Sequence, residues 1–208
     1  MKLTAIFEEW HLGDGNYPPL SKQDLVRLAF QMEVPPTEFS LEEISSSEVE
    51  RFEHRGFAEY AFAATLLRVY ENTSEVPLGV FEADCFRFYV EHRSISSLQT
   101  GRRYRGTGTL LLDYYIWTEF LEQYENPPDL FYNLLVTQIL RVAIPERFIN
   151  RKGTSKAMPS RATKNQVDAE CISEVETMTS QGPGEEFYIV EFDDSGLEGV
   201  HVQKTFIL

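Results

Sequence analysis

Arg102, Arg103 and Arg105 stand in the stretch GRRYRGTGT, with Tyr104 between them. Guanidinium groups fork onto phosphate or carboxylate oxygens, and a phenol ring offers a stacking surface for a base. The four residues could therefore bind an anion, a nucleic acid or an acidic partner. They join two apparent strands, which places them at a loop tip. The chain carries a formal net charge of −14, so acids are available to them internally, above all in the segment 38–53. The plainest expectation is that the arginines fold against that segment. A partner-binding loop and a nucleic-acid contact are the alternatives.

The best-spaced carboxylates are Glu82 and Asp84 in FEADCFRFYVEH. On one strand, residues i and i+2 share a face about 7 Å apart. With a histidine, that spacing suits a hydrolase or a hard metal ion. A solvated strand face explains the same spacing more simply. Asp113 lies between LLL and YYIW, which suggests a buried carboxylate satisfied by hydrogen bonds to a turn or an arginine. His11, His54, His92 and His201 are far apart and form no H-x-H or H-E-x-x-H spacing. No phosphate-loop pattern and no G-x-S-x-G elbow occurs. GTGTLL is a lone glycine pair that leads into a strand. No catalytic residue, metal or cofactor is expected.

These groups must be positioned by strands. DLVRLAFQMEV sets Val26, Leu28, Phe30, Met32 and Val34 opposite Leu25, Arg27, Ala29, Gln31 and Glu33, the clearest period-two pattern in the chain. KLTAIFEEWHL alternates in the same way. FAEYAFAATLLRVYEN reads as a strand that forms a hairpin with PLGVFEADCFRFYVEHR. GTLLLDYYIWTEFLEQY and YNLLVTQILRVAIPERF read as a second long pair, the latter with Gln138 breaking its apolar face. SLEEISSSEVERF has capping-box spacing between Ser40 and Glu43 and suggests a short acidic helix, with an acidic loop as the alternative because of the serine run 45–47. A second helix is suggested after Thr163, with Val167, Cys171, Val175 and Met178 on one face.

The sum is a mainly β chain: a single-domain antiparallel barrel or sandwich over 1–208, of roughly eight strands with two or three short helices. Residues 149–163 are polar and basic and read as a mobile loop. Residues 186–208 read as a C-terminal hairpin. Cys85 and Cys171 lack C-x-x-C spacing and read as reduced thiols. No run of apolar residues is long enough to span a bilayer, and the first residues have no signal-peptide pattern. A cytoplasmic location is expected.

The acidic balance opposes broad affinity for nucleic-acid backbones. It suits a protein that meets a basic protein partner. The proline-containing stretches NYPPL and NPPDLFY would lower the entropic cost of such recognition, or simply stiffen loops. The leading expectation is a soluble, acidic, non-catalytic interaction protein of the inhibitor, immunity or adaptor type. The rivals are an enzyme built on Glu82, Asp84 and a histidine, and an anion or nucleic-acid binder built on Arg102, Arg103, Tyr104 and Arg105.

Overall fold

A computed structural model describes residues 1–8, 10–13, 18–35, 41–71, 76–84, 86–113, 124, 126–143, 172–179, 186–194 and 204–205. Among them the chain forms thirteen strands: β1 (Lys2–Glu8), β2 (Leu25–Leu28), β3 (Phe30–Glu33), β4 (Glu42–Ile44), β5 (Arg51–Gly56), β6 (Glu59–Tyr70), β7 (Leu78–Ala83), β8 (Phe86–Glu91), β9 (Arg103–Leu112), β10 (Tyr132–Ala143), β11 (Ile172–Glu174), β12 (Glu186–Asp193) and β13 (Lys204–Thr205). Among the described residues, helix is limited to α1 (Trp10–Gly13) and a 3-10 turn at Arg93–Ser97. The chain is mainly β, with more strands than the eight expected. The contacts divide it into two compact units, Met1–Val26 with Asn133–Leu208, and Arg27–Tyr132.

The Arg27–Tyr132 unit holds a closed five-stranded barrel. β9 pairs antiparallel with β3 and with β6, β6 with β7, and β7 with β8. The ring closes through one parallel contact, Gln31 of β3 beside Tyr89 of β8. Period two accounts for much of its filling. Phe30 and Met32 of β3 and Leu110 and Leu112 of β9 are buried as the alternation requires, while β6 buries every residue from Tyr60 to Ala64. Aromatic rings supply most of the bulk. Phe88 is fully buried and packs against Phe62, Phe81, Phe86 and the ring of Phe52. Burying each such side chain favours folding by roughly 1.5–3 kcal/mol.

β4 adds to β9, and β5 adds to β6. These two strands replace the acidic helix expected near 40–53. Ser40 itself lies outside the described residues. The capping-box spacing is overruled by partners distant in sequence. Glu42 and Glu43 come opposite Arg105 and Tyr104, and Phe52 stacks on Tyr60 at 4.4 Å between ring centroids. The sequence 78–91, read as one strand, is instead the hairpin β7–β8. It turns at Asp84, whose φ of 48° is left-handed.

The remainder of this unit covers a second apolar cluster made by Ala29, Tyr70, Leu78, Val80, Tyr89 and Leu130. Leu130 belongs to the NPPDLF stretch, which three arginines hold. Arg68 donates to the carbonyl of Asn126 at 3.2 Å, Arg87 donates to that of Asp129 at 3.4 Å, and Arg27 lies 4.7 Å from the Phe131 ring centre. The double proline is thus part of a fixed cover.

In the other unit, β12 lies between β1 and β10, antiparallel to both, and β11 flanks β10 on the far side. The described neighbours of β12 are therefore β1 and β10, and residues 195–203 lie outside the described residues. β11 occupies part of the segment expected to be a second helix. Gln138, which breaks the apolar face of β10 on paper, sits at a bulge between Val136 and Gln138. The extra residue shifts the phase, so that Ile139 is buried where strict alternation would bury Leu140. Of the segment GTLLLDYYIWTEFLEQY, expected to pair with the β10 segment, 108–112 is the end of β9, which pairs with β3 and β6; residues 114–123 lie outside the described residues. The segment 149–163, Cys85 and Cys171 lie outside the described residues.

Candidate functional site: an arginine–glutamate ladder

Arg103 and Arg105 lie on strand β9, not at a loop tip. Alternation along β9 sends their side chains outward and turns Tyr104 inward. Tyr104 is buried, meets Phe81 edge-on, and its hydroxyl accepts a hydrogen bond from the backbone N–H of Gln99 at 2.8 Å. A ring held this way presents no face to a base. Tyr104 therefore serves the barrel interior while its two neighbours serve the surface.

The outward arginines meet the acids of β4 and of the turn that follows it. Arg105 forks onto Glu42, Nε to Oε2 at 2.9 Å and Nη2 to Oε1 at 2.8 Å, and lies 3.8 Å from Glu48. The hydrogen bonds to Glu42, then its charge, raise the pKa of Arg105 above its already high value. Arg103 donates to the carbonyl of Ser46 at 2.8 Å and to that of Glu48, and its Nη2 lies 3.4 Å from Glu50. Glu50 in turn accepts from the Thr65 hydroxyl at 2.6 Å. Arg102, 61% exposed, lies 3.8 Å from Glu43. Three arginines thus face four glutamates, Glu42, Glu43, Glu48 and Glu50.

The glycines after the arginines have a packing role. A Cβ on Gly108 would meet the Glu33 carbonyl oxygen at 2.6 Å and the Met32 sulfur at 2.7 Å. A Cβ on Gly106 would meet Leu41 at 2.8 Å and Phe62 at 2.9 Å. Gly108 faces Tyr60 and Gly106 faces Phe62 across the ladder, so the missing side chains let β3 and the aromatic rings approach β9.

The carboxylate pair does not lie on one continuous strand. Glu82 faces Arg87 in the β7–β8 register and accepts from its Nε at 2.5 Å. Asp84 sits in the turn beyond the end of β7. The described histidines have separate settings. His92 caps the 3-10 turn by accepting from the N–H of Ser94 at 3.1 Å, and burial first, then Arg93, lowers its pKa. His54 contacts the carbonyl of Phe57, and His11 is buried in the other unit. His201 lies outside the described residues. Among the described residues no group of three or more His, Cys, Asp or Glu is placed to hold a metal ion.

Two polar arrangements were less legible. Asp113 is buried, as expected, but it accepts from the Tyr89 hydroxyl. The spacing of 24 residues carries no local signal of that pairing. Lys22 lies between Glu174 at 2.5 Å and Glu176 at 3.1 Å, and hydrogen bonds to both raise its pKa. No helix among the described residues is long and apolar enough to cross a membrane.

Comparison of the chain with family models, with curated proteins and with solved structures finds no match.

Proposed function

We propose that this chain is a non-catalytic interaction protein, of the inhibitor, immunity or adaptor type, whose acidic surface binds a basic protein partner. The observation that carries this reading is the arginine–glutamate ladder. The densest positive cluster in the described residues is already engaged with Glu42, Glu43, Glu48 and Glu50. A free anionic ligand there would have to compete with carboxylates of the same chain that are already in place. The carboxylates in turn outnumber the arginines, and the chain as a whole carries −14. Long-range attraction then favours partners of positive charge. The enzyme reading has less support, because Glu82 is engaged by Arg87 and Asp84 lies in the turn rather than on the same strand. The expected setting of the complex is the cytoplasm.

Affinity capture from the native cell, followed by mass spectrometry, tests the reading. The expected result is a stoichiometric protein of basic composition whose capture weakens as salt rises. Glu43→Lys with Glu53→Lys, both at exposed positions, should weaken it further. Recovery of nucleic acid in place of protein, or capture of an acidic protein indifferent to salt and to both variants, would contradict it.

A further inference from the structure

We infer that Ser47 is a phosphate-acceptor site, modified by an acid-directed serine protein kinase, and that Arg103 and Arg105 receive the phosphate. Ser45, Ser46 and Ser47 are all exposed in the turn between β4 and β5. The turn closes through the N–H of Glu48 on the carbonyl of Ser45 at 3.0 Å. Its next residue, Val49, is 78% exposed, so the side chains on this side of the turn face solvent while its backbone is held by Arg103. A kinase with a basic substrate groove reads acids that follow the acceptor. Ser47 is followed by Glu48 and, three residues on, by Glu50.

Two features single out Ser47 within the run. The Ser45 and Ser47 hydroxyls lie 2.8 Å apart and share that contact, but Ser45 Oγ also accepts from the N–H of Ser47 at 3.3 Å and is the more engaged of the two within the turn. Arg103 meanwhile grips the carbonyls of Ser46 and Glu48, the residues on either side of Ser47. The Arg105 guanidinium lies 3.8 Å from the Glu48 carboxylate. A phosphate on Ser47 would enter between two guanidiniums whose present partners are carbonyls and single-charge carboxylates. A doubly charged group with three acceptor oxygens competes well for them.

In the transfer, the Ser47 oxygen forms a bond to the γ-phosphorus of a nucleoside triphosphate. The bond from that phosphorus to the β-bridging oxygen breaks, the diphosphate leaves, and the hydroxyl proton passes to the kinase base. Arg103 and Arg105 then exchange Glu50 and Glu48 for the phosphate, and those carboxylates face solvent. The inference does not depend on the nature of the protein partner.

The test is incubation of the purified chain with an acid-directed serine kinase and magnesium ATP. A single phosphate located on Ser47 by fragmentation mass spectrometry is expected, and Ser47→Ala should abolish it. The phosphorylated chain should then show, by phosphorus NMR titration, a second phosphate ionisation below the ordinary value of about 6. Arg103→Gln should return it toward that value, and if this variant fails to fold, Arg105→Gln serves in its place. Absence of phosphate, phosphate on another residue, or an ionisation unshifted in the native chain would each overturn the assignment.

Discussion

Arg105 of β9 and Glu42 of β4 face each other in register and join through two parallel hydrogen bonds of 2.9 and 2.8 Å. A fork of this kind fixes direction as well as distance. Both side chains are well exposed, at 44% and 62%, so water and salt screen the pair and its worth lies chiefly in registering β4 on β9. Arg105→Ala and Glu42→Ala should each lower stability only slightly. In a double-mutant cycle their coupling should shrink toward zero as salt rises. Coupling that persists at high salt would show that the pair is more shielded than its exposure indicates.

Gly108→Ala should be far more costly. The added carbon would fall 2.6 Å from a backbone oxygen, and backbone cannot swing aside as a side chain can. A loss of about 1–3 kcal/mol is expected, the usual scale of forced overpacking. Chemical denaturation of the variant measures it, and an unchanged midpoint would contradict the close approach of β3 to β9.

Asp113 and Tyr89 form a buried pair inside the Arg27–Tyr132 unit. Tyr89→Phe keeps the ring that packs with Tyr70, Leu78 and Val80 but removes a donor from a buried carboxylate. The expected loss is about 1–3 kcal/mol, read by the same denaturation experiment. A neutral outcome would mean that other donors fully satisfy Asp113 when Tyr89 withdraws.

His11 gives the stability a defined pH dependence. Burial pushes its pKa down to about 3 from 6.5, so at neutral pH it is uncharged and makes no ion pair with Glu8, 3.8 Å away. On acidification the unfolded chain protonates this ring first. The contribution of the neutral ring is complete above 6.5 and is lost as pH falls from there toward 3. His11→Phe, which keeps an aromatic ring beside Phe7, should flatten that part of the profile. Denaturation midpoints at about pH 7 and about pH 4 check it. A variant with the same acid sensitivity as the native chain would place the titration elsewhere.

Much of the strand content could be read from alternation alone. The pattern from Val26 to Val34 shows Val26, Leu28, Phe30, Met32 and Val34 as buried, but the single strand expected there is two, β2 and β3, broken at Ala29, which is buried as well; most of FAEYAFAATLL, from Glu59 on, belongs to the long strand β6. Features set by distant partners could not be read locally. The acids near Glu42 carry helix-capping spacing, and only arginines some sixty residues away turn them into β4. Asp84 bends the chain without glycine or proline beside it, so it does not continue the strand that carries Glu82. Gln138 looked like a flaw in a strand face, and a bulge explains it. The arginines were expected to meet the acidic segment, yet the inward turn of Tyr104 required knowing that β9 begins at Arg103 and so alternates from there.

The partner reading rests on one physical claim, that Arg102, Arg103 and Arg105 are engaged by acids of their own chain. Fluorescence anisotropy of labelled single- and double-stranded oligonucleotides tests it most directly, at about 150 mM salt, where the screening length is about 8 Å. Phosphate binding draws its strength from many simultaneous contacts, and three arginines already facing Glu42, Glu43, Glu48 and Glu50 can supply few. The expected result is no measurable binding by the native chain. Micromolar binding that Arg102→Ala, Arg103→Ala and Arg105→Ala together abolish would contradict the claim and make this strand a nucleic-acid site.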